Sequence, residues 1–285
     1  VVDSTLTPVA QNLGKNFYLR SIGLSMVCLF SVCLFSGRGP LICQCQRDCA
    51  NIRMLMELLI LFDLDGTLTR TQNGYAPFNE AILETFGVAG DIRSVIPDGN
   101  TDPQIVREIF AKANVEMGID DGQWGQFAEN LRRSYSRALC EGTTTVRSLP
   151  GALELLAALS AKEEFSQGVV TGNFEVTAQI KLEAAGLNSY LWRGAYASDS
   201  PHRPDLPRIA KERWEQWTGK SLRLEQCVII GDTPKDLDAA RQNDMKCVLV
   251  GTGRYPLEEL QYWQPDACLP DLTDTLGVIS IILNL

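Results

Sequence analysis

Histidine is nearly missing from this chain: His202 is the only one in 285 residues. With no second histidine, a histidine-based triad and a zinc hydrolase are both excluded. Positive charge is also scarce. Lys and Arg number 26 against 35 Asp and Glu, a net charge of -9, so a nucleic-acid partner is not expected, because a phosphate backbone needs a basic surface. A membrane is not expected either. The apolar run Ile22 to Phe35 spans 14 residues, short of the roughly 20 that cross a bilayer. Paired Cys-x-x-Cys spacing is absent. Cys43, Cys45 and Cys49 lie close together without it and without a nearby histidine, which speaks against a zinc site. No internal repeat or low-complexity segment is found. What remains, 45% hydrophobic and 21% charged, is the composition of a globular protein with room for one or two domains.

Three short apolar runs end in chemistry-bearing residues. Glu57-Leu58-Leu59-Ile60-Leu61 reads as a buried strand, followed by Phe62-Asp63-Leu64-Asp65-Gly66-Thr67-Leu68-Thr69. Two carboxylates at i and i+2 near a strand's end can converge on one site. There they repel unless a cation or a shared proton lies between them. The Gly and hydroxyls that follow suit a tight turn that approaches an oxyanion. The pattern suggests a metal-assisted site in which one carboxylate attacks and the other moves protons; a strand ending in an ordinary Asp-Gly turn is the bland alternative. The second run, Gln167-Gly168-Val169-Val170, leads into Thr171-Gly172-Asn173 and a helical pattern. This is either a phosphate cradle or a plain helix N-cap. The third, Gln226 to Ile230, leads into Gly231-Asp232-Thr233-Pro234-Lys235-Asp236, with Pro234 starting a helix. Its alternative is a capped helix with Asp232 in solvent. Three such strand tips in one chain are hard to explain as three independent caps.

Asp63 to Thr69, Thr171-Gly172-Asn173 and Gly231 to Asp236 resemble the first, second and fourth motifs of the haloacid-dehalogenase-like (HAD) hydrolases, in that order and each after a predicted strand. The resemblance covers about residues 56 to 283 and is nearest the phosphoglycolate-phosphatase-like branch. It implies a Mg²⁺-dependent phosphatase acting on a small phosphorylated metabolite. Asp63 would be the nucleophile, forming an aspartyl-phosphate, and Asp65 the acid and base. Asp63, the Asp65 carbonyl and Asp232 would hold Mg²⁺, with Asp236 orienting metal-bound water or Arg203. Thr171, Gly172 and Asn173 would hold phosphoryl oxygens. The family's third motif usually supplies a Lys. The matching stretch, Ser198 to Asp205, has none before Lys211, and Arg203 is the best occupant of that role. A sugar-phosphate mutase of the same fold keeps the same motifs. A non-catalytic phosphate-ligand-binding protein would be expected to have lost a motif carboxylate, and none is missing.

The rest of the chain is read around these motifs. Residues 71 to 148 are too long for a bare connection and carry three helical patterns, 76–86, 102–113 and 123–139. They are expected to form an inserted helical cap. In it Asn100 and Thr101 either face the substrate or, with Asp102, cap a helix. Strand and helix alternate from 150 onward: 167–171, 174–185, 190–196, 205–217, 226–231, 235–243, 246–250 and a last helix at 272–282. The expected fold is α/β, a Rossmann-like parallel sheet with helices on both faces, built from 54–70 and 149–285. Residues 1 to 53 carry +3 against -12 for the remainder and five of the nine cysteines. They are expected to be a non-core extension, disordered or from a misassigned start. The other cysteines, Cys140, Cys227, Cys247 and Cys268, are expected to be buried thiols in a reducing cytoplasm, and the protein a cytoplasmic monomer or homodimer.

Overall fold

A computed structural model describes residues 57–285, apart from 117 and 192. The expected extension, 1–53, lies outside the described residues. The central strand, β1 (Leu58–Phe62), is an unbroken apolar run, and Leu59 to Phe62 have no exposed surface. A strand apolar on both faces must be covered on both. Ile60 and Phe62 point into one layer, with Leu155, Leu159, Val278 and Ile282. Leu59 and Leu61 point into the other, with Leu206, Trp214, Leu237 and Leu260. Each such side chain contributes roughly 1.5–3 kcal/mol by its burial.

Beside β1 lie β4 (Phe165–Val169) and β5 (Cys227–Gly231), followed outward by β6 (Lys246–Val250) and β7 (Ala267–Leu269). All pairings are parallel, in the order β4-β1-β5-β6-β7. The chain leaves β1 for one side and returns to the other, so the strand order reverses between β1 and β5. Ligands of open α/β sheets bind at such a point, beyond the carboxyl ends of the strands. The covering helices are α4 (Ala152–Ser160), α5 (Glu175–Ala184), α6 (Leu206–Thr218), α7 (Pro234–Arg241), α8 (Leu257–Tyr262) and α9 (Thr275–Asn284). The expected α/β architecture is the one observed.

The insertion is helical. α1 (Tyr75–Phe86), α2 (Asp102–Lys112) and α3 (Asp121–Cys140) bury Phe78, Ile82, Ile109, Phe127 and Leu131 in a cluster of their own. Phe174, from the loop after β4, joins that cluster, so the cap packs on a segment predicted to touch substrate. Two strands carry the chain into and out of the cap. β2 (Thr69–Gln72) pairs antiparallel with β3 (Thr145–Ser148), Thr69 opposite Ser148.

Several expectations need correction. The stretch 190–196 forms no strand among its described residues; one bridge, Val170 to Ala195, is all that pairs there. The β2–β3 ribbon and α8 were not expected, and β7 is only three residues long. β4 begins and ends two residues before the predicted bounds, because its pairing with β1 runs from Leu58 opposite Phe165 to Phe62 opposite Val169. Cys227 and Cys247 are buried, but Cys140 is exposed and Cys268 half-buried. Among the described residues, no helix is long and apolar enough to cross a membrane.

Candidate active site

The site forms where β1 and β5 end side by side. Asp63 follows β1 directly, and its N–H donates to the Ile230 carbonyl (2.8 Å), fixing it against β5. Asp232 follows β5 directly. Asp236 lies one helical turn on, in the first turn of α7. All three are buried, and each offers a carboxylate oxygen, these oxygens lying within 4.8 Å of one another. Thr233, not Asp232, caps α7: its N–H (3.0 Å) and Oγ1 (2.7 Å) both donate to Asp236 Oδ2. Asp232 accepts from Thr67 Oγ1 (3.0 Å). Space around it is tight, since a Cβ at Gly66 or Gly253 would run into its carboxylate. Gly66 also holds φ +92°, which few other residues adopt.

Arg203 enters this group from a short turn (Arg203–Asp205) before α6. It is buried. Its Nη2 donates to Asp63 Oδ1 (2.8 Å) and to Asp236 Oδ1, while its buried Nε has no partner. The position left without a Lys in the sequence is therefore occupied by an Arg fork between two of the acids. With all groups ionised, three carboxylates and one guanidinium leave two negative charges in a buried volume. Asp63 shows the strain: burial, together with the Asp236 and Asp65 charges, raises its carboxyl to about 7 despite Arg203. Asp232 is raised well above its ordinary value by burial and by Asp63 and Asp236. A divalent cation would neutralise the group, and an all-oxygen donor set suits a hard cation. The residues present fit a metal such as Mg²⁺.

Asp65 belongs to a different environment. It sits at the cavity, its side chain 39% exposed. Its Oδ2 accepts from Lys181 Nζ (2.5 Å) and Asn173 Nδ2 (2.8 Å), and its Oδ1 from Thr71 Oγ1 (3.2 Å). Burial would raise its carboxyl, but the Lys181 charge and these three hydrogen bonds outweigh it and hold the group below the usual range. Lys181 is itself raised: burial pulls it down, and the Asp65 and Tyr135 charges more than reverse this. Two carboxylates two residues apart are thus pushed in opposite directions without a cation at the site: Asp63 upward by burial among acids, Asp65 downward by Lys181 and its hydrogen bonds.

The predicted cradle is partly engaged with itself. Thr171 Oγ1 accepts from Asn173 Nδ2 (2.9 Å) and N–H (3.3 Å). Asn173 Oδ1 accepts from Lys181 Nζ (2.8 Å), so its amide bridges Lys181 and Asp65. Asn173 does not cap α5; Phe174 occupies that position, without a side-chain cap. Gly172 lies where a Cβ would strike the Asn100 carbonyl, and the Asp102 N–H donates to the Gly172 carbonyl (2.7 Å).

Of the two cap residues predicted, Asn100 lines the cavity and Thr101 does not. Thr101 caps α2 in a reciprocal box with Gln104, and its Oγ1 donates to the Pro201 carbonyl (2.7 Å). Its side chain is spent on joining cap to core. His202 lies outside the cavity, exposed, with Nδ1 3.3 Å from Asp205 Oδ1. Arg107 stacks over Trp124, and Arg132 and Arg133 pair with Glu129 and Glu84 on an exposed helix face.

Sequence reasoning missed Lys181, Thr71, Thr67 and Asp102. Lys181 left one signal: it falls in the stripe Thr177, Ala178, Lys181, Leu182, which is the buried face of α5. A Lys in a buried stripe needs a partner. Asp102 was expected, with Thr101, as a possible helix cap; Thr101 is the cap, and the first residue of α2 is Asp102. It is buried and accepts from the Phe174 N–H (2.8 Å), and burial raises it to about 7.

Known proteins resemble this chain. Residues 60–250 match the family described as haloacid dehalogenase-like hydrolase. A probable phosphatase of Dickeya dadantii, IndB, is 25% identical over 81% of this chain and 96% of its own. A phosphoglycolate phosphatase of Photorhabdus laumondii is 23% identical, covering 78% and 92%. The crystal structure of a hydrolase from Pseudomonas syringae superposes with a TM-score of 0.57 at 25% identity, covering 79% of this chain and 98% of that one.

Proposed function

Because the chain belongs to the haloacid dehalogenase-like hydrolase family, we propose that it is a Mg²⁺-dependent phosphatase that hydrolyses a small phosphomonoester through an aspartyl-phosphate on Asp63. The observation that carries this reading is the division of labour between Asp63 and Asp65. Asp63 sits with Asp232, Asp236 and Arg203 in the crevice, while Asp65 is held apart by Lys181, Asn173 and Thr71.

Asp63 attacks the phosphorus atom and takes the phosphoryl group, splitting one difficult displacement into two easier ones. Arg203 holds the attacking carboxylate in place and offers its remaining Nε–H to anionic oxygen. Thr171, Gly172 and Asn173 border the same space and receive the phosphoryl oxygens. Asp65 gives a proton to the leaving alkoxide oxygen, then takes one from the water that attacks the acyl-phosphate. The Asp63 carboxylate, the Asp65 carbonyl and Asp232 would hold Mg²⁺, with Asp236 orienting Arg203. When bound, that cation offsets charge on the transferring oxygens. The relatives' names, a probable phosphatase and a phosphoglycolate phosphatase, support the reaction class.

The test is phosphate release from p-nitrophenyl phosphate and simple alkyl phosphates in Mg²⁺ buffer. Asp63→Asn should lose release by at least about a thousandfold while keeping its melting transition. Substantial turnover in that variant would end the covalent mechanism. An isomer formed from a hexose 1-phosphate, in place of free phosphate, would turn the reading toward a mutase.

A further inference from the structure

We propose that the leaving group of the substrate is a small uncharged alcohol, and that the cavity disfavours phosphoesters carrying a second anionic group. This rests on the phosphatase reading above and concerns the end of the cavity away from Asp63. Among the described residues, Lys181 and Arg203 are the only cations lining the cavity. Lys181 holds Asp65 and Asn173, and Arg203 holds Asp63 and Asp236 and keeps only its Nε–H, which the reading above gives to the transferring phosphoryl group. Of the cations one layer out, Arg254 pairs with Asp98 (3.3 Å), and Lys235 lies behind Gly99 and donates to Asn100 Oδ1.

The cap wall offers a tail two kinds of surface. Phe78, Ile92 and Ile105 are apolar, and Asp98 and Asp102 are acidic. Asp102 is buried and faces no cation within hydrogen-bonding distance; its partner is the Phe174 N–H. A carboxylate or second phosphate placed here would lose its water, find no cation on this part of the wall and meet like charge. An alkyl or hydroxyalkyl tail loses little water against the apolar wall, and its hydroxyls can donate to the acids. The cavity holds about 190 Å³, below the roughly 300 Å³ at which pockets for drug-sized ligands begin. That suits a tail of a few carbons.

The experiment compares kcat/KM for propyl phosphate and a dihydroxypropyl phosphate with that for 2-phosphoglycolate and pyrophosphate, with p-nitrophenyl phosphate as the reference. The uncharged tails should exceed the anionic ones by about tenfold or more. If p-nitrophenyl phosphate is hydrolysed and either anionic substrate matches or beats the uncharged ones, this inference falls and the phosphatase reading stands. If no ester is hydrolysed, both fall. The variant Ile92→Lys places a cation on the cap wall and should raise the ratio of 2-phosphoglycolate to propyl phosphate about tenfold. An unchanged ratio in a variant that melts normally would overturn the charge argument.

Discussion

A single lysine sets the state of the carboxylate beside it. Lys181 keeps Asp65 ionised, which suits water activation but leaves little of the acid form for an alkoxide leaving group at neutral pH. Relative to the loss of ionised Asp63 that both ester classes share, alkyl phosphates should therefore gain in turnover as the pH falls toward the Asp65 pKa. Aryl phosphates, whose leaving group needs no proton, should not show this rise. In Lys181→Met the cation and one hydrogen bond disappear and burial prevails, so the Asp65 pKa rises. The alkyl-ester acid limb should then move to higher pH, while the aryl-ester profile keeps its shape. Parallel pH–rate curves for the two esters check this. Asp102 gives a second residue-scale prediction, read in stability. Its carboxyl is raised by burial from 3.8 to about 7. Between those values the folded state binds more protons than the unfolded state, so stability falls as pH rises through the window. Asn at this position keeps an acceptor for the Phe174 N–H and carries no charge. Asp102→Asn should therefore gain on the parent in stability from pH 5 to pH 8, by on the order of a few kcal/mol, read as a Tm difference that widens with pH. Equal pH dependence in the two proteins would contradict a carboxyl whose burial outweighs the Lys181 charge near it.

Two backbone segments meet without side chains between them at the loop after β4 and the start of α2. Gly172 faces the Asn100 carbonyl, and the Asp102 N–H bonds to the Gly172 carbonyl. A Cβ there meets main chain that has no rotamer to change, so Gly172→Ala must shift the cap, the cradle or both. The expected result is a loss of about 1–3 kcal/mol in stability and of roughly a hundredfold in kcat/KM, measured by thermal melts and steady-state rates. A variant with parent kinetics would show that cap position does not govern catalysis. This contact also marks the limit of what the sequence discloses. The strand tips bearing Asp63, Asp65, Asp232 and Asp236 were legible, because an apolar run ending in acids and Gly is a local signal. The main cap helices were legible from their apolar spacing. Lys181 and Asp102 were not, because each owes its role to a partner more than 70 positions away. Thr101 misled for the complementary reason: capping and substrate contact draw on the same residue types, and only the fold decides between them. The β2–β3 ribbon escaped notice because its four-residue strands alternate too briefly to stand out.

Across the whole molecule, the sheet's switch point brings Asp63 to Asp232 and Asp236, which lie far from it in sequence, and leaves the three short of positive charge. Folding alone drives Asp63 and Asp232 upward against each other and burial. The native state thus carries an electrostatic penalty that a bound divalent cation removes, so metal binding and stability should be linked. A ligand that binds only the folded chain at a hundred times its Kd adds about 2.7 kcal/mol. Mg²⁺ should accordingly raise Tm over that in chelated buffer, and the rise should grow with Mg²⁺ concentration. Asp232→Asn should reduce that concentration-dependent rise sharply, because it removes one carboxylate of the site and leaves the sheet intact. Activity should vanish with EDTA and return with Mg²⁺. Ca²⁺ should restore the melting temperature better than the rate, since it accepts looser geometry and more ligands than an octahedral site provides. Full activity in exhaustively chelated buffer, or a Tm indifferent to Mg²⁺ in the parent chain, would show that Arg203 alone balances the three carboxylates and that no metal works there.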